Sequence, residues 1–421
     1  MEAPQTKRRG ATRRKRAAFT LIELMVALTV GGLAISSFYG VAKTVNGFSQ
    51  EQQRITNMQD QLRHAMSQLK RDVQRAGYLA TPNMALPNEG CGSPPIQLTG
   101  GNAFNFAGFM RYDANFRPAA AGLDPAGLYA ANAEVAADRV WLLGNFETST
   151  PYGGVLMDPG NRSVVRLSIR SFYSQRRDFG AWQQGLPDEL DSASFENVFR
   201  VGRPVAIESR DRKHRHFALL NATSTAGYNV GAPMSFTLSQ AVPINCDVNT
   251  GSLSPLQAVE YRVLSVDAAI EEGASAATAA TRDRALILDP NESLPQLHRR
   301  EVDVESGATA AGLEDRVVLD YVVSFRMSFI SNSNVTAEQV DDINWNLASD
   351  AAAEALVNGT PERIRAVRVF LAARSSGQDR TFAAGLDPLT AFQIDANRPG
   401  AARVRALTAD IFVPNIALET Y

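Results

Sequence analysis

Cysteine, histidine and tryptophan are scarce in this sequence, and the first two shortages each remove a class of chemistry. Two cysteines, Cys91 and Cys246, stand far apart with no CxxC spacing, which excludes a thiolate-built metal site and a CxxC redox pair. In a domain outside the cytoplasm, the plain reading of such a pair is one structural disulfide. Four histidines, His64, His214, His216 and His298, fall in no HExxH pattern, and no GxSxG elbow, P-loop or dinucleotide fingerprint occurs. The residues advertise no catalytic centre, metal or cofactor, so the chain does not read as an enzyme. An excess of one charge is also lacking: 42 Lys and Arg stand against 44 Asp and Glu, for a net −2. The basic residues that do cluster lie at the N-terminus and leave the remainder mildly acidic, so the folded part is not expected to bind nucleic acid specifically.

What is present begins with that cluster. Lys7, Arg8, Arg9, Arg13, Arg14, Lys15 and Arg16 precede a run from Ala17 to Ala42 that is apolar or small except for one carboxylate, Glu23. A helix of about 20 such residues spans a bilayer. Positive charge on its N-terminal side predicts that this end stays cytoplasmic and that everything after about residue 43 is exported. An ordinary secretory signal carries its small-residue cleavage site after the apolar stretch. Here the small-residue boundary that follows the charges, Ala17-Ala18, lies before it, so cleavage there leaves the hydrophobic helix on the mature chain.

The segment Ala18-Phe19-Thr20-Leu21-Ile22-Glu23-Leu24-Met25-Val26 resembles the processing motif of type IV prepilins and pseudopilins. In that family a membrane aspartyl peptidase cuts between a small residue, usually Gly, and Phe, then methylates the new N-terminus. The resemblance implies removal of residues 1–18 as a leader, cleavage between Ala18 and Phe19, and N-methylation of Phe19. It also makes Glu23 the residue that pairs with the N-terminal amine of a neighbouring subunit and so sets register in a filament. Ala18 stands where Gly is usual, which implies slower processing. The physics agrees, because an unpaired carboxylate within a membrane span costs about 3 kcal/mol on insertion scales and needs a partner. The plainer account of Glu23 is an acid at a helix start, favoured by the helix dipole and wet at the interface.

From Phe48 the pattern turns amphipathic, with Ile55, Met58, Leu62, Ala65, Met66, Leu69, Val73 and Ala76 recurring at three- and four-residue steps. One continuous helix is predicted, a membrane or filament-core half over 19–42 and an amphipathic half over 43–80, spanning about 85 Å from Phe19 to Arg75. Gly77, Pro82 and Pro87 end it. Gly31, Gly32 and Gly40 each weaken the apolar half by up to about 1 kcal/mol. Residues 82–135, rich in Gly, Pro, Asn and Ala, read as a loop-rich excursion. Beyond them, strand-like runs at 139–146, 163–173, 198–209, 216–222, 235–242, 257–266, 284–289, 316–330, 362–374 and 403–413 predict an antiparallel β-rich head over 136–421. Alanine-rich stretches at 271–280 and 348–358 read as helical or loop insertions. The fold class is therefore α+β: a long N-terminal helix packed on a large β head.

Val259-Glu260-Tyr261-Arg262-Val263, Asp315-Arg316-Val317-Val318 and the run from Ile364 to Arg374 resemble minor pilins of the PilW type, loosely over about 255–415. The resemblance implies a minor pilin of a type IV pilus that helps prime assembly and sits at or near the tip. Its implied partners are other minor pilins, the major pilin, the prepilin peptidase, the inner-membrane assembly platform and a large tip adhesin. It implies a single-pass inner-membrane precursor with a periplasmic head, later part of a cell-surface pilus. The rival readings are a minor pseudopilin of a type II secretion system and, more remotely, a membrane-anchored enzyme or carbohydrate-binding module.

Other candidate sites read as ordinary surface. His64 falls on the hydrophilic side of the amphipathic helix. The basic segment from Arg210 to His216 reads as a polar hairpin tip, with a patch for DNA uptake or adhesion as the sharper alternative. Asp342-Ile343-Asn344-Trp345-Asn346 opens like a calcium loop but has Leu347 where Gly is needed and Ala353 where the bidentate Glu belongs, so no metal is expected there.

Overall fold

The computed structural model describes residues 20–78, 80, 96–98, 104–106, 109–113, 137–146, 151–158, 160–167, 198–210, 214–224, 234–244, 246, 248, 251–265, 295–302, 315–332, 343–346, 350–377, 382, 391–392 and 400–414. The chain divides into two compact units, one ending at Thr56 and the other beginning at Asn57.

A single helix, α1, runs unbroken through Leu21–Arg75. Its character changes along its length as the sequence requires. From Leu21 to Phe48 the large apolar side chains are exposed, whereas Ile55, Met58, Leu62, Ala65, Met66, Leu69, Val73 and Ala76 form a buried stripe. Phe48, expected to open that stripe, is instead 67% exposed and belongs with the bare half. The helix stops at Gly77, whose φ of 77° is open to glycine at little cost. The Gly77 amide then leaves the helical ladder and donates to the Leu143 carbonyl at 2.9 Å.

The second unit is built from antiparallel strands. In chain order these are β1 (Ile96–Leu98), β2 (Phe104–Phe106), β3 (Met110–Asp113), β4 (Arg139–Gly144), β5 (Tyr152–Gly153), β6 (Val155–Met157), β7 (Val164–Leu167), β8 (Pro204–Glu208), β9 (Arg215–Ser224) and β10 (Met234–Leu238). They continue with β11 (Ser252–Pro255), β12 (Gln257–Ser265), β13 (Pro295–Val302), β14 (Asp315–Asp320), β15 (Val322–Asn332), β16 (Ile343–Asn346), β17 (Ile364–Arg374), β18 (Ala391–Phe392) and β19 (Ala402–Phe412). A short helix, α2 (Asp350–Gly359), precedes β17.

The strands make a β1-β2 pair and three larger sheets. The seven-stranded sheet has the order β5-β11-β8-β9-β10-β7-β6. Its first and last strands are consecutive in sequence, joined at Gly154, so the sheet closes on itself into a small barrel. Gly154 and Val155 both donate to the Gly251 carbonyl, at 3.0 and 3.1 Å. A side chain at Gly251 would place its Cβ 1.8 Å from the Glu208 carbonyl oxygen, so only glycine lets the strands approach there. Tyr152, Phe199, Ile207, Leu220, Phe236 and Leu253 are among the residues filling this core.

The first five-stranded sheet, β14-β13-β12-β4-β3, is tied to the C-terminal part of α1, and the second has the order β16-β15-β17-β19-β18. β14 and β15 were expected as one run over 316–330, but Tyr321, at φ 57°, breaks it and sends the two halves into different sheets. The excursion expected over 82–135 contains β1, β2 and β3, and β3 is an edge of the first five-stranded sheet. The stretch expected as a strand at 284–289 and the insertion at 271–280 lie outside the described residues. The alanine-rich stretch near 348–358 is α2. The α+β class holds, with one long apolar N-terminal helix and a large antiparallel body.

Candidate assembly and processing site

The residues around Glu23 form a complete helix start. Thr20 is the cap: its Oγ1 accepts from the Glu23 amide at 3.3 Å, while Glu23 Oε2 accepts from the Thr20 amide at 3.2 Å and from Thr20 Oγ1 at 3.1 Å. This reciprocal pairing satisfies two amide groups that the first helical turn would otherwise leave bare. The signal was present in the sequence as Thr-x-x-Glu ahead of an apolar run, and the reading of Glu23 as a register residue had passed over it. The carboxylate therefore has intrachain partners that can hold it at the helix end.

Beyond the cap, Leu21, Ile22, Leu24, Met25, Val26, Leu28, Val30, Leu33, Ile35, Phe38, Tyr39 and Val41 are each more than half exposed. They cover all sides of the helix and carry no charge from Leu24 to Ala42. The serine and threonine hydroxyls along this part of the helix are satisfied by the helix itself. Thr29 donates to the Met25 and Val26 carbonyls, Ser36 and Ser37 donate to Leu33, and Thr44 donates to Gly40, at 2.9–3.1 Å. Folding hydroxyls back onto carbonyls lets them enter an apolar medium without an unmet hydrogen bond. The most apolar 18-residue window of α1 has a mean hydropathy of 1.9 and none of it is buried, so by length and composition the helix is able to cross a membrane.

Residues 13–39 match the family model described as the prokaryotic N-terminal methylation motif. This chain carries a prepilin-type signal. The matched segment takes in the basic residues from Arg13 to Arg16, the Ala18-Phe19 boundary, Glu23 and the bare apolar helix as far as Tyr39. The signal supports a type IV pilin-like or pseudopilin-like protein, anchored in a membrane by one span. No curated protein and no solved structure matches the chain. Ala18 and Phe19 themselves lie outside the described residues.

The other sequence-predicted sites are not brought together. His64 is exposed. Arg210 and His214 do lie at a hairpin turn, the Ser209 amide donating to the His214 carbonyl at 2.8 Å between β8 and β9. His216, grouped with that tip, is instead a wholly interior residue of β9 at 1% exposure, in a stretch where Phe217 and Ala218 are buried too, so that both faces of the strand are covered. Burial, with the Arg162 charge adding to it, pulls its pKa down to about 4 against a backbone hydrogen bond to Gln240, so it is neutral at physiological pH. Of the segment that opens like a calcium loop, Ile343–Asn346 is strand β16, paired with β15, and Asp342 lies outside the described residues. Among the described residues no group of three or more His, Cys, Asp or Glu side chains is placed to hold a metal. Cys246 is buried and is half of a disulfide. The sequence has one other cysteine, Cys91, which lies outside the described residues.

What sequence reasoning missed is a buried charged layer on β12, β13 and β4. Glu260, fully buried, takes an ion pair from Arg139 and another from Arg300, with the Arg262 Nε at 3.7 Å. Burial alone would push its carboxyl up, but the three guanidiniums outweigh it and hold the group below the ordinary range. Arg262 is drawn down to about 9 by the same burial, countered chiefly by Glu260, and remains a cation at neutral pH. On the opposite face of β12, Tyr261 donates to Asp72 Oδ2 at 2.7 Å and Arg299 Nε donates to the same oxygen at 2.6 Å. That one carboxylate of α1 thus fixes the helix to two neighbouring strands. Burial and the Asp72 charge lift the Tyr261 phenol well above its usual pKa and keep it a donor.

Proposed function

We propose that this chain is a minor pilin of a type IV pilus, inserted through α1 and acting by assembly with other subunits, not by catalysis. The observation that carries the reading is a prepilin-type signal over residues 13–39 joined to a helix whose apolar surface is bare on every side. Burying such a surface among like helices or in lipid yields about 25 cal/mol per Å². Cleavage between Ala18 and Phe19 frees an ammonium at Phe19. In the precursor, Glu23 is held by Thr20 through two hydrogen bonds. In the filament the same carboxylate takes the Phe19 ammonium of an adjacent subunit, and the two charges neutralise each other inside the apolar core.

On this reading the partners are other minor pilins, the major pilin, the prepilin peptidase and the inner-membrane platform. The N-terminus is cytoplasmic before processing, the second unit is periplasmic, and the processed subunit ends at or near the filament tip. The charged residues beyond the span, from Lys43 onward, suit this arrangement. The Glu23→Val variant tests the mechanism. It should enter the membrane as wild type does, while its amount in sheared filaments falls at least about ten-fold. Wild-type incorporation of that variant would remove the proposed role of Glu23. Recovery of the chain only from a secretion pseudopilus, with no pilus requiring it, would move the protein to the rival assembly.

A further inference from the structure

Among the described residues, the part of the β19 edge beyond β18 is uncovered, a feature that neither the prepilin signal nor the core explains. β17 and β19 pair from Ala366↔Phe412 to Arg374↔Val404. The Val413 amide donates to the Arg365 carbonyl, and the Ser375 amide donates to the Arg403 carbonyl. In an antiparallel ladder the residues that exchange bonds alternate with residues whose polar groups point away. The odd-numbered residues of β19 therefore bond to β17, and the amides and carbonyls of Ala406, Thr408, Asp410 and Phe412 point out of the sheet. β18 covers this edge only at Arg403 and Ala402. Among the described residues, nothing accepts from or donates to the backbone of those four outward residues.

Several other edges are managed. The barrel closes on itself. At β3 the Asn358 side chain of α2 accepts from the Tyr112 amide at 3.1 Å and donates to the Tyr112 carbonyl at 3.0 Å, imitating a missing strand. β14 is short and places Asp315, Arg316 and Asp320 at its edge, which discourages pairing. β16 has only four residues.

We propose that the Ala406–Phe412 edge takes an extended strand from a second protein by β-sheet addition. The incoming strand runs antiparallel, with an acidic side chain opposite Arg405 and apolar side chains opposite Leu407 and Ala409. The backbone groups specify an extended peptide. The side chains specify its pattern. Leu407 and Ala409 are only half-buried on the sheet face where Ile411 is buried, so they lack a neighbour on the open side, and Arg405 is exposed at the end of the same row. Asp410, on the other face, already has its cation, Arg368, at 2.6 and 2.9 Å. Among the described residues Arg405 has no acidic partner, its guanidinium donating to the Val404 carbonyl at 3.4 Å, so the charge this edge offers is positive. A second copy fits poorly: residues opposite one another in an antiparallel pair share a face, and Arg405 and Asp410 point to opposite faces, so a two-fold β19–β19 pairing cannot set them against each other. The inference stands independently of the pilin reading.

The probe is a short, end-blocked, fluorescent peptide in which threonine alternates with valine and a glutamate falls opposite Arg405, titrated against the full chain in detergent. Saturable binding is expected, with slowed amide exchange confined to β19. Methylating the threonine amides, which would face β19, should weaken it at least about ten-fold, whereas methylating the valine amides should leave it unchanged. Thr408→Pro removes an outward N–H while sparing the β17 ladder, and should likewise cost at least about ten-fold. Changing the glutamate to lysine should weaken binding, and Arg405→Glu should restore it for the lysine peptide. Absence of saturable binding, or binding indifferent to which amides are methylated, would overturn the proposal. So would self-association of the wild-type chain that Thr408→Pro abolishes, which would give the edge to a second copy.

Discussion

Between Leu21 and Phe48 the large apolar side chains are bare, while in β12 and β13 charged side chains are interred. Each region inverts the ordinary rule for a water-soluble protein, and the two inversions are resolved differently. Among the described residues of its own unit the helix has no partner for its surface, so its energy is realised in lipid or against other helices. The strands resolve theirs internally, with Glu260 shared among Arg139, Arg262 and Arg300 and with Asp72 shared between Tyr261 and Arg299. Glu23 is the one carboxylate in the bare region, and its present partner is Thr20. A buried acid with three cations is finished, whereas an acid in an apolar helix held by one amide and one hydroxyl, both neutral, is still open to a cation from elsewhere.

That contrast can be broken most severely at its buried end. Glu260→Ala leaves three guanidiniums without their shared anion and should destabilise the second unit by about 3–5 kcal/mol, read by urea denaturation. Asp72→Asn should cost less, about 2 kcal/mol, because the amide retains a hydrogen bond from Tyr261 while losing the charge that holds Arg299. Loss equal to that of Glu260→Ala would mean that the helix attachment, not the interior cluster, dominates.

A further effect, confined to a narrow window, is expected in the pH dependence. His216 has a lowered pKa in the folded chain, so its contribution is fully present above about pH 6.5 and is lost as pH falls through about 4, amounting to about 3 kcal/mol at most. Glu260 also has a lowered pKa and gives way only beneath the ordinary carboxylate range. His216→Leu should therefore flatten stability between pH 6.5 and 4 and leave the steeper loss below it. An unchanged profile between those values would show that His216 is not the titrating group.

How legible all this was differs by region for physical reasons. α1 was plain because a long apolar run followed by a three-four repeat leaves few alternatives, and β12, β17 and β19 were plain because β-branched and apolar residues dominate them. β13 was missed altogether. Its sequence, Pro-Gln-Leu-His-Arg-Arg-Glu-Val, looks like surface, yet all eight residues are buried, since Asp72 and Glu260 meet Arg299 and Arg300 and Asp315 lies against the His298 ring from other elements. Long-range compensation of that kind has no local signature. β5, β6 and β11 are two to four residues long and depend on barrel closure, not on propensity. At the candidate site, Glu23 was legible from its isolation among apolar neighbours, while the role of Thr20 needed the capping geometry. The exposed Phe48 shows that the change from bare to buried comes later in the helix than the change in its sequence pattern.

The central claim is that the helix of Leu21–Arg75 becomes a subunit interface once a leader is removed ahead of it. Mass spectrometry of the chain recovered from sheared filaments tests this directly. The account predicts a mature N-terminal peptide beginning with N-methylated Phe19, followed by Thr20 and Leu21. Recovery of the chain solely from membranes with Arg13–Arg16 still attached, and never from a filament, would contradict it.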